Sequence, residues 1–191
     1  MQTELYKYLV SERSNLTRLL EDEGIHDAVE RAIVELVRAV RIKAVILTCG
    51  NGGSASDALH IAGELVGRFN HDRQAINVVC LNANVSVMTA WSNDVKYESL
   101  FARQVEAHGT GTGVLWGLST SGNSRNVIEA VEVARNIGMP AIAMTGEGGG
   151  ELARLASIVI SVPARSAPSA QNLHVMLYHY ICSEVERRTL G

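Results

Sequence analysis

The chain has little of what secreted, fibrous or nucleic-acid-binding proteins are built from. Its 191 residues include three prolines, three cysteines and 5% aromatic residues. Cys49, Cys80 and Cys182 are odd in number, far apart and form no CxxC pair. That excludes a disulfide framework or a thiolate zinc site as the expectation and favours reduced thiols in a cytoplasmic protein. No stretch approaches the roughly 20 apolar residues of a membrane span. The segment MQTELYKYLVSER carries no apolar core, so a secretory signal is not expected. Basic residues are not in excess either: the net charge of -3 makes no case for nucleic acid, whose capture rests on phosphate neutralisation.

What is there is an ordinary globular composition, 47% hydrophobic and 19% charged, in a chain long enough for one domain with a full core. Leu5, Leu9, Leu16, Leu19 and Leu20 recur at helical spacing and predict a helix over 3–23. Ala28, Val29, Ala32, Ile33, Leu36, Val37 and Val40 predict a second. These make an N-terminal helical part (1–42) ahead of a sheet core (43–191) in a single domain. Within that core, short apolar runs at 44–48, 76–81, 113–119, 141–145 and 157–163 read as strands. Helical stretches separate them, and a helix over 170–189 closes the chain. The alternation predicts an α/β fold with a doubly wound, parallel, five-stranded sheet. The two leading helices lie outside the alternation, so they cover the sheet or meet another subunit.

Two loops suit an anion at the carboxyl ends of such strands. Gly50, Gly52 and Ala55 satisfy GxGxxA after the first strand, a pattern that cradles dinucleotide phosphates. That reading needs a carboxylate after the second strand to hold a ribose hydroxyl. The segment Leu81-Asn82-Ala83-Asn84 has none, and no Walker lysine follows either loop, so no nucleotide cofactor is expected. STSGNS, residues 119–124, supplies four hydroxyls that donate to phosphate without adding charge. Either loop alone is equally well read as a strand-to-helix turn, where Ser, Gly and Asn are favoured anyway. GEGGGE (146–151) reads as little more than a flexible connection.

The helix after the glycine loop is expected to run through Phe69. His60, Glu64 and Arg68 recur on one of its faces, between packed residues Ile61, Ala62, Leu65 and Val66. A solvated ladder of ion pairs is the commonplace reading. A second set, Gln171, His174 and His179, lies on the last helix. Glu64 with a histidine makes an acid/base pair, and His60, Glu64, Gln171 and His179 make an N/O metal set.

CGNGGSASDALHIAGELVGRF, SNDVKYESLFARQV, GLSTSGNSRNVIEAVEVAR, MTGEGGGELA and the terminal Q-x-x-H-x-x-x-x-H together resemble the sugar isomerase (SIS) domain family, within it the phosphoheptose isomerases. The resemblance implies conversion of sedoheptulose 7-phosphate to D-glycero-D-manno-heptose 7-phosphate through an enediol. It implies Glu64 as catalytic base and His179 as catalytic acid. Ser119, Thr120, Ser121 and Ser124 are implied at the phosphate. Asn51, Gly52, Gly53, Ser54, Arg68, Asn93, Asp94 and Gln171 are implied near the sugar, and zinc on His60, Glu64, Gln171 and His179. It further implies a homotetramer with shared active sites. One stretch departs: Pro168-Ser169-Ala170 replaces an Asp-containing segment, so a related ketose phosphate such as an octulose 8-phosphate is the alternative substrate. Non-catalytic SIS proteins, which bind a replication initiator or sense a sugar phosphate, tend to lose the glutamate and histidine kept here.

Overall fold

The computed structural model describes residues 3–190. Two helices lead, α1 (Glu4–Glu21) and α2 (Glu23–Arg41), capped by the side chains of Thr3 and Asp22. Five strands follow, β1 (Ile46–Gly50), β2 (Val78–Cys80), β3 (Val114–Ser119), β4 (Ala141–Thr145) and β5 (Ile158–Ser161). Between and after them lie α3 (Gly53–Val66), α4 (Val85–Asp94), α5 (Leu100–His108), α6 (Arg125–Asn136), the short α7 (Leu152–Leu155) and α8 (Ala167–Thr189). A 3-10 turn, Tyr97–Ser99, joins α4 to α5.

All strand pairs are parallel, in the order β2-β1-β3-β4-β5. The chain runs outward from β1 to the edge strand β2, then returns across β1 to β3. The β1/β3 junction is therefore the point where the winding reverses, the usual ligand crevice of an open parallel sheet. Alternate strand residues feed two cores. Ile46, Val114, Trp116, Leu118, Ile142 and Met144 pack under α2, α3 and α8. Leu47, Cys49, Leu115, Ala141 and Ala143 pack under α5 and α6.

Several boundaries differ from the periodicity reading. Lys43 takes a left-handed conformation (φ 57°) and Ala44 N–H donates to the Ala39 carbonyl. The chain is thus still leaving α2 at 44, and β1 begins two residues late. β2 keeps three of its six expected residues because it is paired on one side only. α8 starts at Ala167, since Pro168 is tolerated in the first turn and Ser166 caps it. α3 stops at Val66, short of Phe69, so Arg68 lies beyond the helix rather than on its polar face. The leading helices divide: α2 buries its stripe on the sheet, whereas Leu5, Leu9, Leu16 and Leu20 of α1 stay exposed. No helix among the described residues is long and apolar enough to cross a membrane.

Candidate active site

α3 and α8 lie side by side over the β1 end of the sheet and bring His60, Glu64 and His179 together. Ligand atoms of the three side chains all lie within 4.8 Å of one another. His60 Nε2 is 2.9 Å from Glu64 Oε1 and 3.4 Å from His179 Nε2. The other nitrogen of His60, Nδ1, lies 2.9 Å from the Tyr178 hydroxyl, itself 3.5 Å from Asp57 Oδ1. This chain of contacts aims His60 Nε2 at Glu64 and His179, and an imidazole whose other nitrogen is held in this way suits a metal. Burial raises the Asp57 pKa, opposed by the Tyr178 hydrogen bond and the nearby His60 charge. Burial also raises that of Tyr178, helped by the charge of Asp57. Tyr178 and Asp57 gave no signal in the sequence beyond their neighbours; only the packing of α8 on α3 joins them to the site.

Gln171 sits two turns earlier on α8, against the glycine loop. A Cβ at Gly53 would meet its amide, so a larger residue there would displace Gln171 from the loop. Gly52 is exposed and Ser54 is buried in the first turn of α3. Asn51 is held by two reciprocal amide bonds of 2.8 Å to Asn126, and the Tyr97 hydroxyl donates to its Oδ1 at 2.7 Å. Asn82 spans the Gly50 peptide unit on both sides, accepting from Gly50 N–H and donating to its carbonyl. An amide that braces the loop therefore occupies the place where a dinucleotide fold carries its ribose carboxylate.

The serine loop lies at the adjacent carboxyl end, that of β3. Ser119 Oγ donates to Ser124 Oγ at 2.8 Å and lies 3.4 Å from Ser121 Oγ. Ser124 stands at the N-cap position of α6 without a side-chain capping bond, and the N-terminal N–H groups and dipole of that helix favour an anion. Thr120 turns its carbonyl to Gly146 N–H. The glycine-rich 146–151 segment is a buttress rather than a slack connection. Gly122 has φ 66°, and a Cβ on it would meet the backbone of Gly149 and Gly150. The Leu152 N–H donates to the Gly122 carbonyl, and the Glu151 N–H to Asn123 Oδ1.

Not every candidate joins this cluster within one chain. Arg68 is exposed past the end of α3. Asn93 and Asp94 are exposed at the end of α4, where the Asn93 amide donates to Asp94 Oδ1. His174, five residues before His179, is fully buried. Its Nε2 meets the Thr145 carbonyl at 3.1 Å, and burial pushes its pKa down to about 4 despite that contact. It is a core histidine. A surface hollow of about 850 Å³ lies elsewhere, lined by Val79, Val87, Ala90 and Trp91 among others. It contains neither loop and none of the clustered ligands.

The family model for the SIS domain matches residues 7–146. The phosphoheptose isomerase of Helicobacter pylori is 41% identical over 165 residues, covering 86% of each chain. The solved phosphoheptose isomerase from Neisseria gonorrhoeae superposes with a TM-score of 0.89 at 32% identity, covering 96% of this chain and 97% of that one. The Francisella tularensis enzyme gives 0.91 at 29% identity, covering 97% and 100%. With this sheet order, these two loops and this degree of identity, the chain belongs to the phosphoheptose isomerase family of SIS-domain proteins.

Proposed function

We propose that the protein isomerises sedoheptulose 7-phosphate to D-glycero-D-manno-heptose 7-phosphate, with Glu64 as base and His179 as acid. The observation that carries this is the convergence of Glu64 and His179 from separate helices, α3 opened by the glycine loop and α8 packed against it. The reaction moves a carbonyl from C2 to C1. Glu64 takes the C1 proton, the C1–H electron pair forms the C1=C2 bond, and His179 gives a proton to O2. The enediol then collapses: the proton on Glu64 goes to C2, the O1 proton goes to His179, and the aldehyde remains at C1. Ser119, Thr120, Ser121, Ser124 and the start of α6 hold the phosphate. Asn51, Gly52, Gly53, Ser54 and Gln171 line the sugar side.

Two imidazoles and a carboxylate with converging donor atoms suit zinc, and Gln171 is the fourth candidate ligand. When bound, zinc supplies polarisation of the carbonyl and stabilises negative charge developing on its oxygen. The exposed stripe Leu5, Leu9, Leu16 and Leu20 supports α1 as the contact between copies of a homotetramer. Exposure of Arg68, Asn93 and Asp94 supports a site completed across that assembly. The cysteines, free and buried at 49, 80 and 182, support a cytoplasmic protein. At the departing segment, Ser169 donates to Glu12 and Asn172 donates to Tyr8 and Glu12. A carboxylate from α1 therefore approaches the first turn of α8, where the family motif carries its own.

The test is an assay of purified protein on sedoheptulose 7-phosphate beside an octulose 8-phosphate. Turnover of the seven-carbon ketose is expected, and turnover of the octulose alone would refute the assignment. Light scattering is expected to give a tetramer that dissociates when Leu9 and Leu20 are both replaced by serine. A monomeric wild type at full activity would remove α1 from the interface role.

A further inference from the structure

α3 ends on a charged pair that the reaction itself does not use. Arg73 and Glu186 form an ion pair, Nε to Oε1 3.0 Å, with side chains only 7% and 0% exposed. The Arg73 guanidinium donates to the carbonyls of Glu64 and Leu65, both at 2.9 Å, and of Gly67 at 3.3 Å. It therefore caps the carbonyls that α3 leaves unpaired at its end. The Glu186 carboxylate accepts the N–H groups of Phe69, Asn70 and His71 at 2.8–3.3 Å. Glu186 follows His179 by seven residues, two turns on, and so shares its side of α8. Phe69, pinned by its N–H, lays its ring parallel to His179, centroids 5.9 Å apart at 25°.

We infer that Arg73 and Glu186 are a positioning pair that sets the Glu64 carboxylate and the His179 imidazole relative to each other. One end of the pair grips the peptide of Glu64 itself. The other is rooted in the helix of His179 and fixes the aromatic ring stacked on it. A buried ion pair is weak evidence for stability, since well-packed apolar residues of the same volume often serve as well. Here Arg73 satisfies three carbonyls at the end of α3, and Glu186, on α8, satisfies three N–H groups of the segment that leaves α3. Lysine cannot reproduce the guanidinium fork across three carbonyls, and a displacement of about 1 Å can cost a hundredfold in rate.

The inference rests on Glu64 and His179 being the base and acid. Arg73→Lys, assayed below its unfolding transition, should lower kcat about tenfold or more while KM stays within about twofold of wild type. In the same variant the ring C–H resonances of His179, assigned with His179→Asn, should shift as the Phe69 stack is lost. Glu186→Gln should behave alike and carries the test where Arg73→Lys does not fold. Wild-type kcat in a folded variant overturns the pair's role. So does a rise in KM alone, an unmoved His179 resonance, a loss that only tracks the unfolded fraction, or failure of both variants to fold. The two readings separate cleanly. An active Glu64→Gln removes the base assignment, whereas an active Arg73→Lys beside an inactive Glu64→Gln removes only the pair.

Discussion

The loops after β1 and β3 occupy neighbouring places on one sheet edge, yet they are built from opposite materials. The first is glycine and asparagine, stiffened from outside by Asn82 and Asn126 and filled by the Gln171 amide. Its helix then presents His60 and Glu64. The second carries its own hydroxyls, buttressed by the backbone of 146–152, and opens a helix whose buried face is apolar after Asn126. Equal positions at the winding reversal thus take on unequal tasks. In the proposed reaction, the loop that admits substrate closely is paired with the acid/base groups, and the loop rich in donors with the α6 dipole. α8 repeats the division within five residues, with His174 in the core and His179 beside His60 and Glu64.

The strongest way to break the contrast is Glu64→Gln, which removes a base at nearly constant volume. Turnover should fall about 10²–10⁴-fold with the melting temperature preserved and sugar-phosphate binding retained. Near-normal turnover in the folded variant would transfer the chemistry to other groups. The complementary change, Ser121→Ala with Ser124→Ala, should spare the acid/base pair and weaken substrate binding by about 3 kcal/mol or more, taking about 1.5 for each hydrogen bond to a charged acceptor. Titration calorimetry of wild type and double variant reads this directly. Unchanged affinity, or tight binding of NAD by the wild type, would return the phosphate to the glycine loop.

His174 sharpens the division within α8. Its folded pKa of about 4 lies below the ordinary histidine value of 6.5, so the unfolded chain binds the proton first. The stabilisation is complete above pH 6.5 and is lost as pH falls towards 4, a contribution of about 3 kcal/mol. His174→Gln keeps a donor for the Thr145 carbonyl and has no titration. Its unfolding midpoint should vary less with pH over that window than the wild type's, with kcat at neutral pH little changed. Equal slopes in the two proteins would show that another group sets the acid limb. The smallest effect is expected where the loops touch. Asn126→Ala removes both amide bonds to Asn51 and should cost about 1 kcal/mol in substrate binding. An effect as large as that of the double serine variant would make the loops one site rather than two.

Local chemistry makes much of this legible in the sequence. Runs such as AIAMT and GVLWGLS, the helical stripe of α2 and the hydroxyls of STSGNS carry their meaning in neighbouring residues, as does the four-residue step from His60 to Glu64. The family motifs extended that reading to His179 and Gln171. What local pattern could not supply is what depends on distant partners. Nothing at Ile46 or Val78 dictates that β1 lies between β2 and β3, and so nothing local puts the two loops side by side. The composition after Val66 allows α3 to continue to Phe69. It ends at Val66, where Arg73 takes its last carbonyls and Glu186, over a hundred residues away, takes the N–H groups that follow. His174 and His179 look alike in a string of letters, and only the sheet beneath α8 makes one inaccessible. Periodicity and donor type act over a turn or two of chain, whereas burial and the partner of a charge are properties of the packed whole.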